Sequence, residues 1–215
     1  MSTQVPFSSS LDENNERAEL LAAALETWLH LLLYVRCVYP RDTFQCIRFL
    51  GVRCKANRHP VVASYISDSL RVAVPVLLHP AANEISLIIL DGSSGKQLEK
   101  YSLVFSEALN NARPSLHELE TVLRSLILST LALDGQLTKK VSSDVTFKII
   151  LHVDKEDTSC HFLTKALSEG IWYCSRIELP DSHERCRPLQ QIKFGNMNVN
   201  FYATAPMKDD EFKAR

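Results

Sequence analysis

The amino-acid sequence predicts an α+β fold in one large domain. Three segments repeat apolar residues at steps of three and four, a spacing typical of helices that bury one face. Two neighbouring apolar segments flank a glycine-containing turn, which predicts an antiparallel hairpin. The chain has 215 residues, of which 46% are hydrophobic, so it can bury one sizeable core.

The first helix is predicted from about residue 16 to just before Pro40. Proline disfavours helical geometry in the residue before it, so Tyr39-Pro40 marks the end of this helix. Residues 1–15 are rich in Ser, Asn and Gln, and we expect them to be flexible. The apolar stripe of the helix consists of Leu21, Leu25, Trp28, Leu32 and Val35.

The second helix is predicted to follow His59-Pro60, after a connector over residues 41–58 that carries a short strand. Pro75 is expected to kink or shorten the last turn of this helix. Beyond it, residues 84–90 form a near-continuous apolar run and residues 97–105 alternate. An Asp-Gly-Ser-Ser-Gly turn joins these two runs, so together they predict the hairpin.

The third helix is predicted to start at a capping box, in which Ser115 and Glu118 satisfy each other's backbone N–H groups. Gly135 supplies its C-terminal cap. Alternation then predicts a strand over residues 145–151. The chain beyond this strand is irregular and rich in loops, and only residues 191–203 resemble strand structure, where Gly195-Asn196 is suited to a tight turn between residues 192–194 and the alternating strand that follows.

The charge balance excludes a general attraction to nucleic acid. Twenty-four Lys and Arg residues against 25 Asp and Glu residues give a net charge of -1, so any contact with DNA is expected to be indirect. The apolar run at 28–35 is too short to cross a bilayer, and we expect no membrane association. Six cysteines without a repeating spacing favour reduced thiols in the cytosol or nucleus.

Catalytic motifs are absent from the sequence. No glycine-rich phosphate loop and no nucleophile elbow is present, which argues against nucleotide hydrolysis and serine hydrolysis. A zinc-dependent enzyme or a zinc-stabilised module is the alternative function that the residues leave open, because sulfur and imidazole ligands occur close together near the C-terminus. The residues concerned are Cys160, His161, Cys174, His183 and Cys186. Their spacing matches no paired zinc knuckle, so we expect no metal and no cofactor.

Two aromatic residues near the C-terminus are candidates for binding a peptide. Trp172 lies in an irregular segment and Tyr202 in a polar-aromatic strand, which suits strand addition with side-chain pockets. Packing in the core is the alternative. Arg124 falls off the apolar stripe of the third helix, so it is either a solvated arginine or an anchor for a protein interface.

The sequence resembles the HORMA-domain family over roughly residues 17–205. The similarity is carried by the first helix and its exit, by the start of the second helix, and by the hairpin strands. The matching segments are His30-Leu31-Leu32-Leu33-Tyr34-Val35-Arg36, Val38-Tyr39-Pro40, His59-Pro60, Tyr65-Ile66, Asp68-Ser69-Leu70, Leu123-Arg124 and Asn200-Phe201-Tyr202. Within the family, residues 30–36, His59-Pro60 and Leu123-Arg124 are most similar to the non-catalytic accessory subunit of DNA polymerase zeta.

The resemblance implies three helices packed on a central, mainly antiparallel sheet. It implies a HORMA domain over residues 16–205, divided into a core at 16–154 and a safety belt at 155–205 that closes over a partner's peptide. Residues 206–215 are then a flexible tail. The two belt positions form a switch, and the chain acts as an adaptor and not as an enzyme.

The resemblance also implies partners and sites. A Pro-containing peptide of the catalytic subunit of polymerase zeta is expected against Tyr65 and Trp172. The C-terminal domain of an inserter translesion polymerase is expected on a belt surface formed by Cys186, Leu189, Asn200 and Tyr202. A HORMA homodimer or heterodimer is expected to use Arg124 and Asp134.

Two matters stay open from the sequence. A HORMA adaptor of the spindle checkpoint, the meiotic axis or autophagy would use the same belt with a different peptide. The implied role in DNA-damage bypass places the chain in the nucleus, with the cytoplasm as a second location.

Overall fold

A computed structural model gives the structure and describes residues 8–78, 82–105, 114–136, 144–153, 161–168, 172, 184–194 and 197–206. It confirms the α+β fold. The elements in chain order are α1 (Ser8–Val35), β1 (Phe44–Phe49), β2 (Val52–Asn57), α2 (Pro60–Leu77), β3 (Ala82–Asp91), β4 (Gln97–Phe105), α3 (Leu116–Gln136), β5 (Val145–Val153), α4 (His161–Ser168), β6 (Glu184–Phe194) and β7 (Met197–Pro206).

Helix α1 lies at the centre of the core, in contact with α2, α3 and β2. The predicted apolar stripe is buried, and the Trp28 ring meets the ring of Phe201 edge to face at 5.9 Å. The helix begins at Ser8, earlier than the start predicted at about residue 16. Arg17 explains part of this extension, because its guanidinium binds the side chains of Asn14 and Glu13 one turn earlier.

Helices α1 and α2 are long and apolar enough, by length and composition alone, to cross a membrane. In α1 the apolar side chains are instead enclosed by protein, since Leu21, Leu25 and Leu29 are fully buried. Burial of this kind is typical of the core helix of a folded domain, so neither helix argues for a membrane span.

The capping box predicted for the start of α3 is confirmed, and α2 ends two residues beyond Pro75. Glu118 accepts hydrogen bonds from the backbone N–H of Ser115 at 2.7 Å, and its own N–H donates to the Ser115 hydroxyl at 3.2 Å, which confirms the capping box. Pro75 does not end α2, which continues to Leu77. A proline in the last turn removes only one helical hydrogen bond, so the turn is retained.

Five antiparallel strands form the main sheet in the order β5-β3-β4-β7-β6, and β1 and β2 form a separate hairpin. The side chains of Ile85, Leu87, Leu103 and Phe201 form the buried face of this sheet, which packs against the helices. The opposite face carries Glu84, Ser86, Lys100, Ser102 and His152, and we call it the polar face.

The C-terminal hairpin β6–β7 is longer than the strand segment predicted over residues 191–203, and the predicted turn residues Gly195 and Asn196 lie outside the described residues. Strand β7 pairs with β4, and β6 pairs with β7. The hairpin therefore widens the sheet of β5, β3 and β4 by two strands on the β4 side. The first part of β6, residues 184–190, was missed because Arg185, Arg187 and Pro188 interrupt its apolar alternation. Consequently β5 and β6 lie at opposite edges of one sheet.

Candidate functional site

Strand β5 is an edge strand, paired only with β3 among the described residues. The backbone N–H of Ile149 donates to a side chain outside the sheet, the hydroxyl of Tyr65, at 3.3 Å. In an antiparallel strand both polar groups of one residue point to the same side and alternate along the strand. The N–H and C=O groups of Phe147, Ile149 and Leu151 therefore point away from β3, along an open edge.

A row of three aromatic rings lines the start of this edge. Phe147 lies between Tyr39 and Tyr65, with ring centroids 6.2 Å and 5.5 Å away and edge-to-face geometry in both pairs. Tyr65 is 41% exposed although it is a large aromatic residue, and Val61, one turn earlier in α2, is 68% exposed. Exposed apolar groups beside unpaired backbone groups are typical of surfaces that accept an extended peptide.

Tyr65 was predicted from the family resemblance, whereas Tyr39 and Phe147 were missed as site residues. Tyr39 was interpreted only as the end of the first helix, and Phe147 only as one member of an alternating strand. Their meeting depends on how α1, α2 and the sheet pack together. An aromatic residue on a strand that pairs on one side only would have been the available signal.

Trp172 is half-buried and packs against the hydrophobic core. Its indole Nε1 is buried and has no hydrogen-bond partner among the described residues. An unpaired buried donor costs about 1–3 kcal/mol, so this N–H is a group that a bound carbonyl oxygen would stabilise. The ring contacts that the structure describes for Tyr65 join it to Phe147 and not to Trp172.

The residues predicted for the belt surface lie on the C-terminal hairpin, and three of the four share one face. Tyr202 stands between Ser102 of β4 and Pro188 of β6, while Asn200 and Cys186 pair with neighbouring positions on the same side. All three extend the polar face of the sheet. Leu189 differs, because it lies at the bulge in β6 and packs against the core.

A charged network occupies the polar face beside Tyr202. Glu84 is 3.0 Å from the ammonium of Lys100 and 3.2 Å from His152 Nε2, and the Ser86 hydroxyl beneath them is fully buried and lies 2.9 Å from that of Ser102. Burial favours a raised pKa for Glu84, but the positive charges of His152 and Lys100 hold that pKa below its ordinary value. Burial lowers the pKa of His152 against the opposing effect of Glu84.

Arg124 and Asp134, the predicted dimer residues, are both exposed on α3. Ten residues of helix separate them, or about 15 Å along the axis, so the fold does not bring them together. Asp134 already accepts a hydrogen bond from Arg41 at 2.7 Å. Arg124 stands one turn before Leu128, which is 48% exposed, and an exposed leucine beside an arginine is typical of protein interfaces.

The alternative hypothesis of a zinc site gains no support within the described residues, where no cluster of three or more His, Cys, Asp or Glu side chains could hold a metal ion. His161 is exposed at the start of α4, and Cys186 is exposed in β6. Cys160, Cys174 and His183 lie outside the described residues.

The sequence is similar to proteins named mitotic spindle assembly checkpoint protein MAD2B. The human protein is 30% identical over 189 residues, which cover 86% of this chain and 89% of the relative. The rat protein is 29% identical with the same coverage. The Drosophila melanogaster DNA polymerase zeta subunit 2 is 25% identical over 142 residues, covering 65% of this chain and 71% of that protein. A scan against protein-family models finds no match.

The fold is similar to solved structures of the same architecture. A chain of the mitotic checkpoint complex superimposes with a TM-score of 0.69 at 16% identity, covering 88% of this chain and 98% of that chain. Caenorhabditis elegans HTP-1 bound to the HIM-3 closure motif gives a TM-score of 0.64 at 13% identity, covering 87% and 89%. At these identities the likeness establishes the fold alone.

Proposed function

We propose, from the premise that this chain belongs to the MAD2B family of HORMA-domain proteins, that it is the adaptor subunit of DNA polymerase zeta. As a family member it is a non-catalytic adaptor. In our proposal it binds a Pro-containing peptide of the catalytic subunit along β5, and it bridges that subunit to an inserter polymerase during translesion synthesis. This activity places the chain in the nucleus.

The open edge of β5 is the observation that carries the proposal. An added strand would pair with the outward N–H and C=O groups of Phe147 and Leu151, which have no strand partner among the described residues. Main-chain hydrogen bonds of this kind supply affinity without regard to sequence. Side-chain pockets must therefore supply the specificity.

The aromatic row supplies such pockets. The exposed ring of Tyr65 and the ring of Phe147 offer flat apolar surfaces beside the edge, and a proline ring is a compact apolar group that packs against such faces. A proline has no N–H to donate to the ladder, so it fits where the peptide residue points away from β5. The unpaired indole N–H of Trp172 would donate to a carbonyl oxygen of the peptide.

The sheet order explains how a peptide could be enclosed. The chain leaves the sheet after Val153 at one edge and re-enters at Glu184 at the opposite edge, roughly 19 Å away across four strand spacings. Within this connection α4 contacts α2, the helix that carries Tyr65. A connection anchored at both edges is suited to closing over a strand added at β5.

The bridging role uses the polar face of the C-terminal hairpin. Tyr202, Asn200 and Cys186 lie there, separated by the width of the sheet from the β5 edge. Tyrosine is frequent among residues that dominate binding energy in interfaces. Two partners could thus be bound together without competing for one surface, which is what an adaptor requires.

A second candidate function is a HORMA adaptor of another pathway, since the fold is also similar to a chain of the mitotic checkpoint complex and to HTP-1. Such an adaptor would use the same edge with another peptide. Affinity purification of the chain from its own cells, followed by mass spectrometry, separates the two, because only the first requires the catalytic subunit of polymerase zeta among the bound proteins.

Hydrogen exchange tests the edge directly. Overlapping peptides from the catalytic subunit of polymerase zeta would be added to the full chain, and amide exchange would be followed along β5. We expect the amides of Phe147 and Leu151 to gain protection, while those of Lys148 and Ile150, which point toward β3, serve as the internal control. Binding without any added protection at Phe147 and Leu151 would refute strand addition at this edge.

A further inference from the structure

The hairpin β1–β2 carries a concentrated group of cations on one face. Arg48 stands directly opposite Arg53 in the strand register, and Cys46 stands opposite Lys55 in the next pair on the same side. Both arginines are exposed, and Lys55 is half-buried. We call Arg48, Arg53 and Lys55 the basic hairpin face.

This face differs from the rest of the molecule in charge. Residues 41–58 contain five basic residues and one acidic residue, Asp42, although the whole chain has a net charge of -1. The positive charge is therefore local. The overall charge, from which only indirect contact with DNA was expected, does not describe this surface.

The two arginines have no ion-pair partner among the described residues, in contrast to the exposed Arg71 and Arg41. Arg71 lies 3.7 Å from Asp68 and Arg41 lies 2.7 Å from Asp134, whereas no carboxylate lies within ion-pairing distance of Arg48 or Arg53 in the part of the chain that the structure describes. Like charges directly opposite each other destabilise a strand pair. A bound anion would remove that repulsion.

The hairpin holds these side chains in fixed positions. Its two-residue turn has Leu50 at φ 46° and Gly51 at φ 76°, and positive φ at both positions is typical of the tight turns that fit strand twist. Leucine adopts this geometry only at a cost in strain; here its side chain packs against the core. On the inner side of the hairpin Val52 and Cys54 are buried, so the basic face points outward from a rigid support.

We propose that the basic hairpin face binds the phosphate backbone of a nucleic-acid strand. Guanidinium groups bind phosphate oxygens through paired hydrogen bonds. Arg53 and Lys55 are two residues apart on one strand, or about 6.8 Å, which is comparable to the distance between successive phosphates of an extended strand. The face has no exposed aromatic or aliphatic anchor, which a protein partner would need, whereas phosphate binding needs charge alone.

Lys55 contacts an exposed cysteine, Cys46, whose reactivity can report on binding at this face. Its ammonium donates to the sulfur of Cys46 at 3.0 Å and lies 5.6 Å from the centre of the Tyr34 ring. Cys46 is exposed in the middle of the basic face, and a second exposed cysteine, Cys186, lies far along the chain on β6. The two thiols therefore form a matched pair of reporters for a bound strand.

Fluorescence anisotropy with a labelled 20-nucleotide oligothymidylate would measure binding of the full chain at several salt concentrations. Each phosphate contact contributes about 0.7 to the slope of log affinity against log salt for single strands. The double variant Arg48→Ala/Arg53→Ala is expected to lower that slope by about 1.4, which corresponds to about 25-fold weaker binding at 0.1 M salt. Arg71→Ala/Lys193→Ala, which also removes two exposed cations, is expected to keep the wild-type slope.

A second measurement does not depend on any variant. Alkylation by iodoacetamide, read by mass spectrometry, should slow at Cys46 when the oligonucleotide is bound and stay unchanged at Cys186. Equal loss of affinity in both double variants, binding of a polyglutamate peptide in preference to the oligonucleotide, or unprotected Cys46 in the bound state would each overturn the proposal. It does not depend on peptide capture at β5, so failure of either proposal leaves the other standing.

Discussion

The hydroxyl of Tyr65 accepts a hydrogen bond from the backbone N–H of Ile149 at 3.3 Å. The helix that carries the exposed ring is thereby joined to the outward side of the edge strand. Ile149 lies between the two residues whose outward groups are open, so this bond occupies the central donor of the proposed peptide site. A peptide that pairs fully with β5 must replace it.

Tyr65→Phe removes the hydroxyl and keeps the ring, so it distinguishes their contributions to peptide binding. The variant keeps the aromatic contact with Phe147 but leaves the Ile149 N–H without its hydroxyl partner in the free protein. A peptide carbonyl can then accept a hydrogen bond from this N–H without first breaking the bond to Tyr65. A net hydrogen bond contributes about 1 kcal/mol, and we expect peptide binding to tighten roughly fivefold in calorimetry. Weaker binding would show that the hydroxyl contacts the peptide itself.

Tyr65→Ala and Trp172→Ala remove whole rings. We expect each to weaken peptide binding by more than about 2 kcal/mol, as for the aromatic anchors of other interfaces. Trp172→Phe is the matched control, because it keeps most of the apolar surface and loses only the indole N–H, which has no partner among the described residues. Unchanged calorimetric affinity in both alanine variants would discard the site.

His30 is expected to make stability sensitive to acid. It is 3% exposed, its Nδ1 accepts a hydrogen bond from the backbone N–H of Asn57 at 3.3 Å, and burial lowers its pKa to about 4. Between pH 6.5 and 4 the unfolded chain binds this proton more readily than the folded chain, so the free energy of unfolding falls as pH falls. The loss should be about 3 kcal/mol.

Urea denaturation at pH 7 and pH 4 measures this effect. His30→Gln should be less stable than the wild type at pH 7, because the buried pairing with Asn57 changes, but it should lose less stability on acidification. The same loss in both proteins would assign the acid sensitivity to other groups, such as the charged network at His152.

The buried Arg36, just after α1, forms an ion pair with the half-buried Glu99 of β4. Arg36 Nε donates to Glu99 Oε2 at 2.7 Å, a second guanidinium nitrogen binds the other oxygen, and the Tyr101 hydroxyl donates to the same carboxylate at 2.9 Å. Arg36→Met leaves this half-buried carboxylate without its countercharge, so we expect a loss of about 3 kcal/mol in the free energy of unfolding, the lower end of the range for a buried pair.

Two further variants test this reading of the pair. Arg36→Met/Glu99→Leu removes both charges and should recover most of the loss. Arg71→Ala, which breaks an exposed pair with Asp68, should cost less than about 1 kcal/mol. If the double variant is no more stable than Arg36→Met in chemical denaturation, the cost comes from packing and not from the unpaired charge.

Tyr202→Ala should weaken binding at one of the two proposed surfaces and leave the other unchanged. The residue lies on the polar face of the C-terminal hairpin, away from β5, so we expect weaker binding of the inserter polymerase's C-terminal domain and unchanged peptide binding. Tyr65→Ala should give the reverse pattern. Surface plasmon resonance with each partner in turn measures both, and parallel loss of the two activities in Tyr202→Ala would show that the surfaces are coupled.

Local signals predicted most of the core. The predictions of the capping box at Ser115 and of the β3–β4 hairpin were correct because neighbouring residues determine both features. The start of α2 follows directly from His59-Pro60. The first part of β6, residues 184–190, could not be predicted, since its pairing with β7 overrides an irregular sequence. The start of α1 was placed too late because polar side chains were taken to mean flexibility.

The candidate site was predicted partly from the family resemblance and partly from the aromatic residues near the C-terminus. Tyr65 came from a matched segment and Trp172 was also a candidate from the aromatic, irregular sequence around it, whereas Tyr39 and Phe147 meet only because the end of α1 packs beside β5. The basic hairpin face was hidden for a related reason. Arg48 and Arg53 are five positions apart in the sequence, and only the strand register places them opposite each other.

The ladder between β4 and β7, which runs from the pair Lys100–Thr204 to the pair Phe105–Val199, has a kinetic consequence. A ligand strand held inside the connection from β5 to β6 cannot leave sideways while this ladder stays closed. Its residence time is then governed by how often the hairpin unzips from β4, a local unfolding event, and not by the size of the ligand's own interface. Dissociation should accordingly accelerate in mild denaturant well below the midpoint of global unfolding.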